Sequence, residues 1–395
     1  MPLAIAALAC VPRPPLPLPT GLTLLETDWR PVTTFLDSAI SAGAAPGAVL
    51  GVSVAGIRFI HGAGQMGPGE PARPKPTTVY DLASLTKAVG LATAAMLAVE
   101  DGRLELDAPV QRYVPAFAGP EKDRVTIRML LAHASGLPRW RPLFRETGSR
   151  AELFSVTNGT PLDSDPGTAE AYSDLGFIVL TQAIEAGYGE RLDSLLARRL
   201  FQPLGMTSVR FSPPPGVRER IAPTGHEPWR GRVLRGEVHD ENAARMDGVS
   251  GHAGLFGAAD DLLTFAEWML AQADGGTGGP ADRRTGGSME HSDRPSVSPP
   301  VFRAFTRRQH LVPGSSRALG WDTPSPGSSA GRFLAPTSFG HTGFTGTSLW
   351  IDPEHQLAIV LLSNRVNPTR DNPRWTPVRA GVADRVMTTL FGDGR

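Results

Sequence analysis

Tyr80-Asp81-Leu82-Ala83-Ser84-Leu85-Thr86-Lys87 leads into a run rich in Ala, Leu and Met that reaches Val99 and stops at Asp101-Gly102. The run predicts a helix from about Ser84 to Glu100. Residues three apart on a helix are neighbours, so the Lys87 amine can reach the Ser84 hydroxyl. The partial positive charge of a helix start disfavours a further cation there, and both effects are expected to push Lys87 toward its neutral form. A hydroxyl beside a neutral amine is a nucleophile with its base. Ser-x-x-Lys is also what a capping serine followed by a solvated lysine looks like, so its weight depends on the rest of the chain.

Upstream, Trp29, Val32, Phe35, Leu36 and Ile40 fall at helical spacing between Asp28 and Ala42, and Ala48 to Ile60 reads as two short strands hinged at Gly56. Downstream, helical signals and Pro/Gly loops dominate to about Ile221. Leu349-Trp350-Ile351 and Leu357 to Leu362 then read as adjacent strands turning at Asp352-Pro353-Glu354, and Pro377 to Phe391 as a closing helix over that sheet. The chain therefore enters a sheet, leaves for a helical region and returns.

Two further phrases share the polar character of the first: Tyr172-Ser173-Asp174 and His341-Thr342-Gly343. Leu130 to Pro138, Pro203-Leu204-Gly205-Met206, and Gly340 to Thr347 flank them. In order and spacing the three elements resemble the Ser-x-x-Lys, Tyr-x-Asn and Lys-Thr-Gly motifs of the penicillin-recognising serine hydrolases. That group holds class C β-lactamases, penicillin-binding proteins, D-aminopeptidases and esterases of the same fold. The resemblance runs from about residue 28 to the C-terminus. It implies a two-lobed α+β fold, with an antiparallel sheet flanked by helices beside a mainly helical lobe. The expected division is a leader or Pro-rich tether at 1–24 and one catalytic domain at 25–395. Within that domain the sheet lobe takes about 25–82 and 300–395, the helical lobe about 83–250, and a flexible insertion about 275–300.

The resemblance further implies that Ser84 forms an acyl-enzyme, that Lys87 and Tyr172 carry the protons, and that the Ser84 and Phe344 amides form the oxyanion hole. Tyr172 becomes the candidate to activate the deacylating water, its phenol pKa lowered by the nearby Lys87 ammonium. Asp174, His341, Thr342, Gly343 and Phe344 are the expected substrate-binding residues. Asp174 departs from the family's Asn: a carboxylate only accepts hydrogen bonds, and it favours the charged form of Lys87, which shifts base catalysis toward Tyr172. Reading Ser173-Asp174-Leu175 as the Ser-Asp-Asn motif of class A enzymes is the competing alignment. His341 departs from the family's Lys. With an ordinary pKa near ~6.5 it is expected to be mostly neutral at pH 7, giving weaker and pH-dependent carboxylate recognition and a preference for uncharged esters or amides. His252, in Gly251-His252-Ala253-Gly254, and His133 read as structural residues of their loops.

Composition narrows the function classes. Lys plus Arg and Asp plus Glu are 39 each, and no basic stripe concentrates charge, so a nucleic-acid partner is not expected. The single Cys10 excludes an intrachain disulfide and a cysteine-based zinc site. No His-Glu-x-x-His pattern is present, so neither a catalytic metal nor another cofactor is expected. Met1 to Cys10 has leader-like features without a basic start, leaving either a cytoplasmic or an exported location, and Pro12 to Pro19 reads as an extended tether. No stretch has the ~20 apolar residues of a membrane span, and oligomeric state is not readable.

Gly327-Ser328-Ser329-Ala330-Gly331 matches the Gly-x-Ser-x-Gly elbow formally, but Pro324 and Pro326 stand where that elbow needs a buried strand. The expected activity is hydrolysis of a carboxyl ester, amide or peptide through Ser84. The alternative is a low-turnover, sensor-like protein that acylates or binds cell-wall-like ligands.

Overall fold

The computed structural model describes Leu24, residues 26–275 and residues 294–392. The tether expected at 1–24, Leu24 apart, and residues 276–293 of the expected insertion lie outside the described residues. Residues 294–298, by contrast, are packed: the Trp268 indole donates to Pro295 O at 2.8 Å and Val297 N to Gln272 at 3.0 Å.

The first helix, α1 (Arg30–Ser41), starts with a proline in its opening turn and buries Val32 and Leu36. It leads to β1 (Gly47–Val54) and β2 (Ile57–Gly64), joined by Ala55 and Gly56 at φ 46° and 80°, the left-handed pair that a tight hairpin of this twist demands. β3 (Val79–Asp81) precedes the Ser84–Lys87 stretch.

A uniform helix from Ser84 to Glu100 is not what forms. Lys87 N bonds Ser84 O at 3.0 Å in a tight turn, Thr86–Ala92 winds as a wide π-helix, and only α2 (Thr93–Glu100) is regular. Every residue from Thr86 to Ala98 is buried. The segment threads the core, and neighbours on all sides set its winding where intrinsic propensity would predict an ordinary helix.

The helical lobe follows: α3 (Ile127–Leu131), α4 (Leu143–Glu146), α5 (Arg150–Gly159), α6 (Asp174–Tyr188) and α7 (Leu192–Leu196). Short strands interrupt it where the sequence showed no strand signal: β4 (Arg210–Phe211), and the hairpin of β5 (Gly225–Glu227) and β6 (Arg232–Leu234). After α8 (Glu241–Arg245), β7 (Leu255–Ala258) pairs with β3 and β4 in a three-stranded sheet that ties the lobes together. The chain then returns through α9 (Ala259–Ala273), α10 (Pro299–Thr306), β8 (Phe339–Thr342), β9 (Ser348–Asp352), β10 (Leu357–Ser363) and α11 (Thr376–Phe391).

The main sheet is antiparallel in the order β2-β1-β10-β9-β8. β1 and β10 are buried along their whole lengths because both faces are covered, which explains their continuous apolar sequence. Ala48, Leu50 and Val52 face α1 and α11, while Val49 faces the core shared with α9 and the helical lobe. β8 is an edge strand, opposite β2, and His341 and Thr342 sit at its end, where the two lobes meet.

Candidate active site

Asp81 ends β3, and its carboxylate accepts from Ala83 N at 2.8 Å and from His239 N at 2.7 Å. Ala83 adopts φ 47°, a left-handed conformation that an alanine takes only when held there. This clamp turns Ser84 out of the core and into a cleft. The third motif is pinned to the same turn, with Thr345 Oγ1 donating to Asp81 O at 2.7 Å and Thr347 Oγ1 to Leu82 O at 2.9 Å. Only glycine fits at 343, because a Cβ there would lie 2.1 Å from Thr347 Oγ1 and 2.4 Å from Leu82 O.

Burial raises Asp81 to about 6. Below that pH the carboxyl is protonated and loses acceptor capacity toward the two amides that hold the turn, so kcat/KM is expected to fall as pH drops through about 6. Asp81→Asn, which keeps one acceptor oxygen, should lower kcat/KM at pH 8 about tenfold and flatten this limb. A pH–rate profile on both proteins checks it; an acid limb unchanged in the variant would remove Asp81 from the account.

Lys87 is fully buried. Its Nζ lies 3.1 Å from Ser84 Oγ, 2.9 Å from His252 O and 2.6 Å from Asp174 Oδ1. Burial alone would lower its pKa, but the Asp174 carboxylate and the Tyr172 oxygen outweigh it and raise the lysine above its ordinary value. The helix-start argument for a neutral Lys87 is thus overturned: the carboxylate at the second motif is in direct contact, and the helix start is a distorted turn. The His252 ring is bonded to Ser250 Oγ at 2.7 Å and Asp240 Oδ1 at 2.8 Å, and its carbonyl is one of the groups that hold the lysine.

Ser173 caps α6, accepting from Gly176 N at 3.1 Å and donating its hydroxyl to Pro138 O at 2.7 Å. Its own N–H donates to His133 Nδ1 at 3.0 Å, which leaves the imidazole proton on Nε2. His133 therefore fixes the second motif as well as its own loop. The Tyr172 ring sits 4.5 Å from the His133 ring, with the Lys87 ammonium 4.9 Å and the Arg317 guanidinium 5.1 Å from its centroid. Its hydroxyl is hydrogen-bonded with Ser84 and Lys87. Burial, together with Asp174, raises the phenol above its ordinary value despite the lysine, which corrects the expected lowering.

Asp174 opens α6; it is the main cause of the upward shift of Lys87 and adds to the burial that raises Tyr172. Asp174→Asn should therefore let Lys87 and Tyr172 release protons at lower pH. With either as general base, kcat/KM at pH 7 is expected to rise about tenfold, its acid limb moving to lower pH. A loss of activity would instead make Asp174 itself a proton acceptor.

His341 is neutral at pH 7 as expected, but without the expected pH-dependence. Its ring is buried, Nδ1 donates to Thr342 O at 2.8 Å, Nε2 has no hydrogen-bond partner, and burial with the Lys87 charge pushes it down to about 3. It stays neutral across the working range, so the expected pH-dependent contact with a carboxylate does not arise. The ring stands behind the cleft wall, while Ser84, Tyr172, Asp174, Thr342, Gly343 and Phe344 line a cleft of about 670 Å³. Among the described residues the Ser84 and Phe344 amides donate to no other group.

The cleft also draws on residues that carried no motif signal, among them Trp140, His239, Asp240, Arg370 and Arg379. Ser329 is far from this chemistry: its Oγ accepts from the Trp350 indole at 3.1 Å, on the α11 side of the main sheet.

A cleft serine bonded to a buried lysine, beside the edge strand of such a sheet, is the arrangement of a serine hydrolase. The beta-lactamase family profile matches residues 34–384, and the chain belongs to that family. It is 30% identical to an N-acetylmuramyl-L-alanine amidase of Bacillus subtilis (strain 168), over 92% of this chain and 86% of the relative. It is 31% identical to a provisionally named D-alanyl-D-alanine carboxypeptidase of Escherichia coli (strain K12), over 78% of this chain and 74% of the relative. Among solved structures, a class C beta lactamase from Rhodobacter sphaeroides superposes with a TM-score of 0.67 at 20% identity, covering 91% of this chain and 99% of that one. Among the described residues no helix is long and apolar enough to cross a membrane.

Proposed function

We propose that this hydrolase cleaves an amide or peptide bond through an acyl-enzyme on Ser84. The observation that carries the reading is the 3.1 Å contact between Ser84 Oγ and the amine of a lysine with no exposure to solvent, opening onto a substrate-sized cleft. The substrate carbonyl docks with its oxygen toward the Ser84 and Phe344 amides, which stabilise the tetrahedral oxyanion. Reaction runs through the fraction of enzyme in which Tyr172 is ionised: its phenolate, bonded with Ser84 and held by the Lys87 ammonium, takes the Ser84 proton as Oγ attacks and then, as the phenol, gives it to the departing amine, which regenerates the phenolate. The regenerated phenolate then takes a proton from the deacylating water and delivers it to Ser84 Oγ as the acyl group leaves.

The names of the two relatives support an amide-type substrate, since both describe cleavage at an amide. A complete relay of Ser84, Lys87 and Tyr172 supports turnover over single acylation. Rapid-mixing kinetics with p-nitrophenyl acetate tests the reading. A burst of one nitrophenol per enzyme, followed by steady turnover, is the expected result. A burst with no turnover would favour the sensor-like alternative.

A further inference from the structure

His239 comes from the segment between β6 and α8, a part of the cleft that carried no motif. Its backbone is held on both sides: the N–H donates to Asp81 Oδ2 at 2.7 Å, the carboxylate that clamps the Ser84 turn, and the carbonyl accepts from Arg230 Nη2 at 2.8 Å. The next residue, Asp240, is fixed in turn by the His252 ring and by Ala243 N, each at 2.8 Å. The imidazole therefore has one place relative to Ser84. The residue is only 3% exposed, yet it lines the cleft, and its ring centre lies 5.8 Å from that of Phe344.

Within this rigid frame Nε2 is buried and has no hydrogen-bond partner among the described residues. A buried N–H left without a partner is rarer than an acceptor left bare, so the covered Nε2 takes the lone pair and the ring proton resides on Nδ1. With Nε2 covered, Nδ1 is the nitrogen the ring has left to offer the cleft. Burial, reinforced by the Arg370 charge, pushes the imidazole down to about 4, so above that pH it donates as an uncharged group. A fixed, neutral donor in a largely buried wall is matched by a carbonyl oxygen. An alkyl group in the same place would strip the donor of water and give it no partner.

We propose that His239 is a specificity-determining residue whose Nδ1–H bonds a carbonyl oxygen of the substrate other than the one at the scissile bond. Peptide-like substrates carry such carbonyls at every residue, and simple alkyl esters carry none. This inference rests on Ser84 being the nucleophile of the same cleft, and two independent readouts separate them.

The first readout is kcat/KM, above the uncatalysed rate, for esters in which one C=O is exchanged for the similarly shaped C=CH2. p-Nitrophenyl 4-oxopentanoate and 5-oxohexanoate against their methylene counterparts place the carbonyl at two depths on the acyl side. 4-Acetylphenyl acetate against 4-isopropenylphenyl acetate places it on the leaving group. In at least one pair the ketone-to-alkene ratio is expected to be about fivefold or more higher in the wild type than in His239→Phe, a comparison in which intrinsic reactivity cancels. His239→Asn, whose side-chain amide reaches the place of Nδ1, should restore much of the ratio, and His239→Gln, whose amide reaches the place of Nε2, should restore less. Added salt should leave the ratio unchanged, because the donor carries no charge. A merely structural His239 would slow ketone and alkene alike.

The second readout is calorimetric binding of the same compounds to Ser84→Ala, which cannot be acylated. Tighter binding of a ketone than of its alkene partner, lost in Ser84→Ala/His239→Phe, supports the donor even if the wild type turns over no ester, an outcome that would remove the hydrolase reading alone. Turnover with equal ratios in the wild type and a folded His239→Phe for every pair, and no tighter binding of any ketone to Ser84→Ala, overturns the donor and leaves the hydrolase standing. If His239→Phe does not fold, the binding comparison in Ser84→Ala decides by itself.

Discussion

Lys87→Met is expected to lower kcat/KM about 10⁴-fold and to cost about 3–5 kcal/mol of stability. The two effects have different origins. Methionine fills the buried space but cannot hold the Ser84 and Tyr172 oxygens, so the proton relay is lost. The stability cost arises because Asp174, whose side chain is only 18% exposed and sits 2.6 Å from Nζ, would be left as an uncompensated carboxylate, and His252 O would lose its donor. Removing one partner of a buried pair is far more damaging than replacing both. Lys87→Met/Asp174→Leu should therefore recover most of the melting temperature and none of the activity. Thermal unfolding and ester hydrolysis on the two variants check this. A stable but inactive single variant would make the ion pair dispensable to the fold; an active one would dismiss Lys87 from catalysis.

Tyr172→Phe should reduce kcat about 10³-fold while changing stability by less than about 1 kcal/mol. The ring's contacts with His133, Lys87 and Arg317 involve its face and survive the substitution; only the hydroxyl bonded with Ser84 and Lys87 is lost. If that oxygen also serves the deacylating water, the variant should accumulate acyl-enzyme, giving a burst of nitrophenol followed by a slow phase. Loss of the burst, with turnover limited by the slowed acylation, would confine Tyr172 to acylation. Wild-type rates in both phases would remove it from the relay.

Much of this architecture is legible in the chain because the determinants are local. The continuous apolar runs of β1 and β10, the Ala55-Gly56 hairpin and the proline-led α11 each announce themselves within a few residues. Ser84 and Lys87 are legible for the same reason, being three residues apart. What the chain conceals is environment. Nothing beside His341 in sequence says that its ring is buried behind the cleft or that its titration lies far below neutrality. Nothing beside Lys87 says that the carboxylate of residue 174 touches it. That contact overrides the helix-start expectation for Lys87, in the direction the Asp at 174 already suggested, while burial together with Asp174 reverses the expected direction for Tyr172. Asp240, Arg365 and Arg379 come from loops and a helix start whose sequences carry no motif, and only the fold brings them to one wall. The π-wound stretch after Ser84 was likewise hidden, because its cause is packing on every side.

The central claim is that Ser84 carries the acyl group. The most direct test is intact-mass and peptide mass spectrometry of the wild type, quenched in acid during steady-state hydrolysis of p-nitrophenyl acetate, beside Ser84→Ala treated identically. An acetyl adduct on the peptide containing Ser84, present in the wild type and absent from a folded Ser84→Ala that no longer turns over, is the predicted result. Turnover surviving in Ser84→Ala, or an adduct on another residue that forms and decays at the rate of turnover, would contradict it.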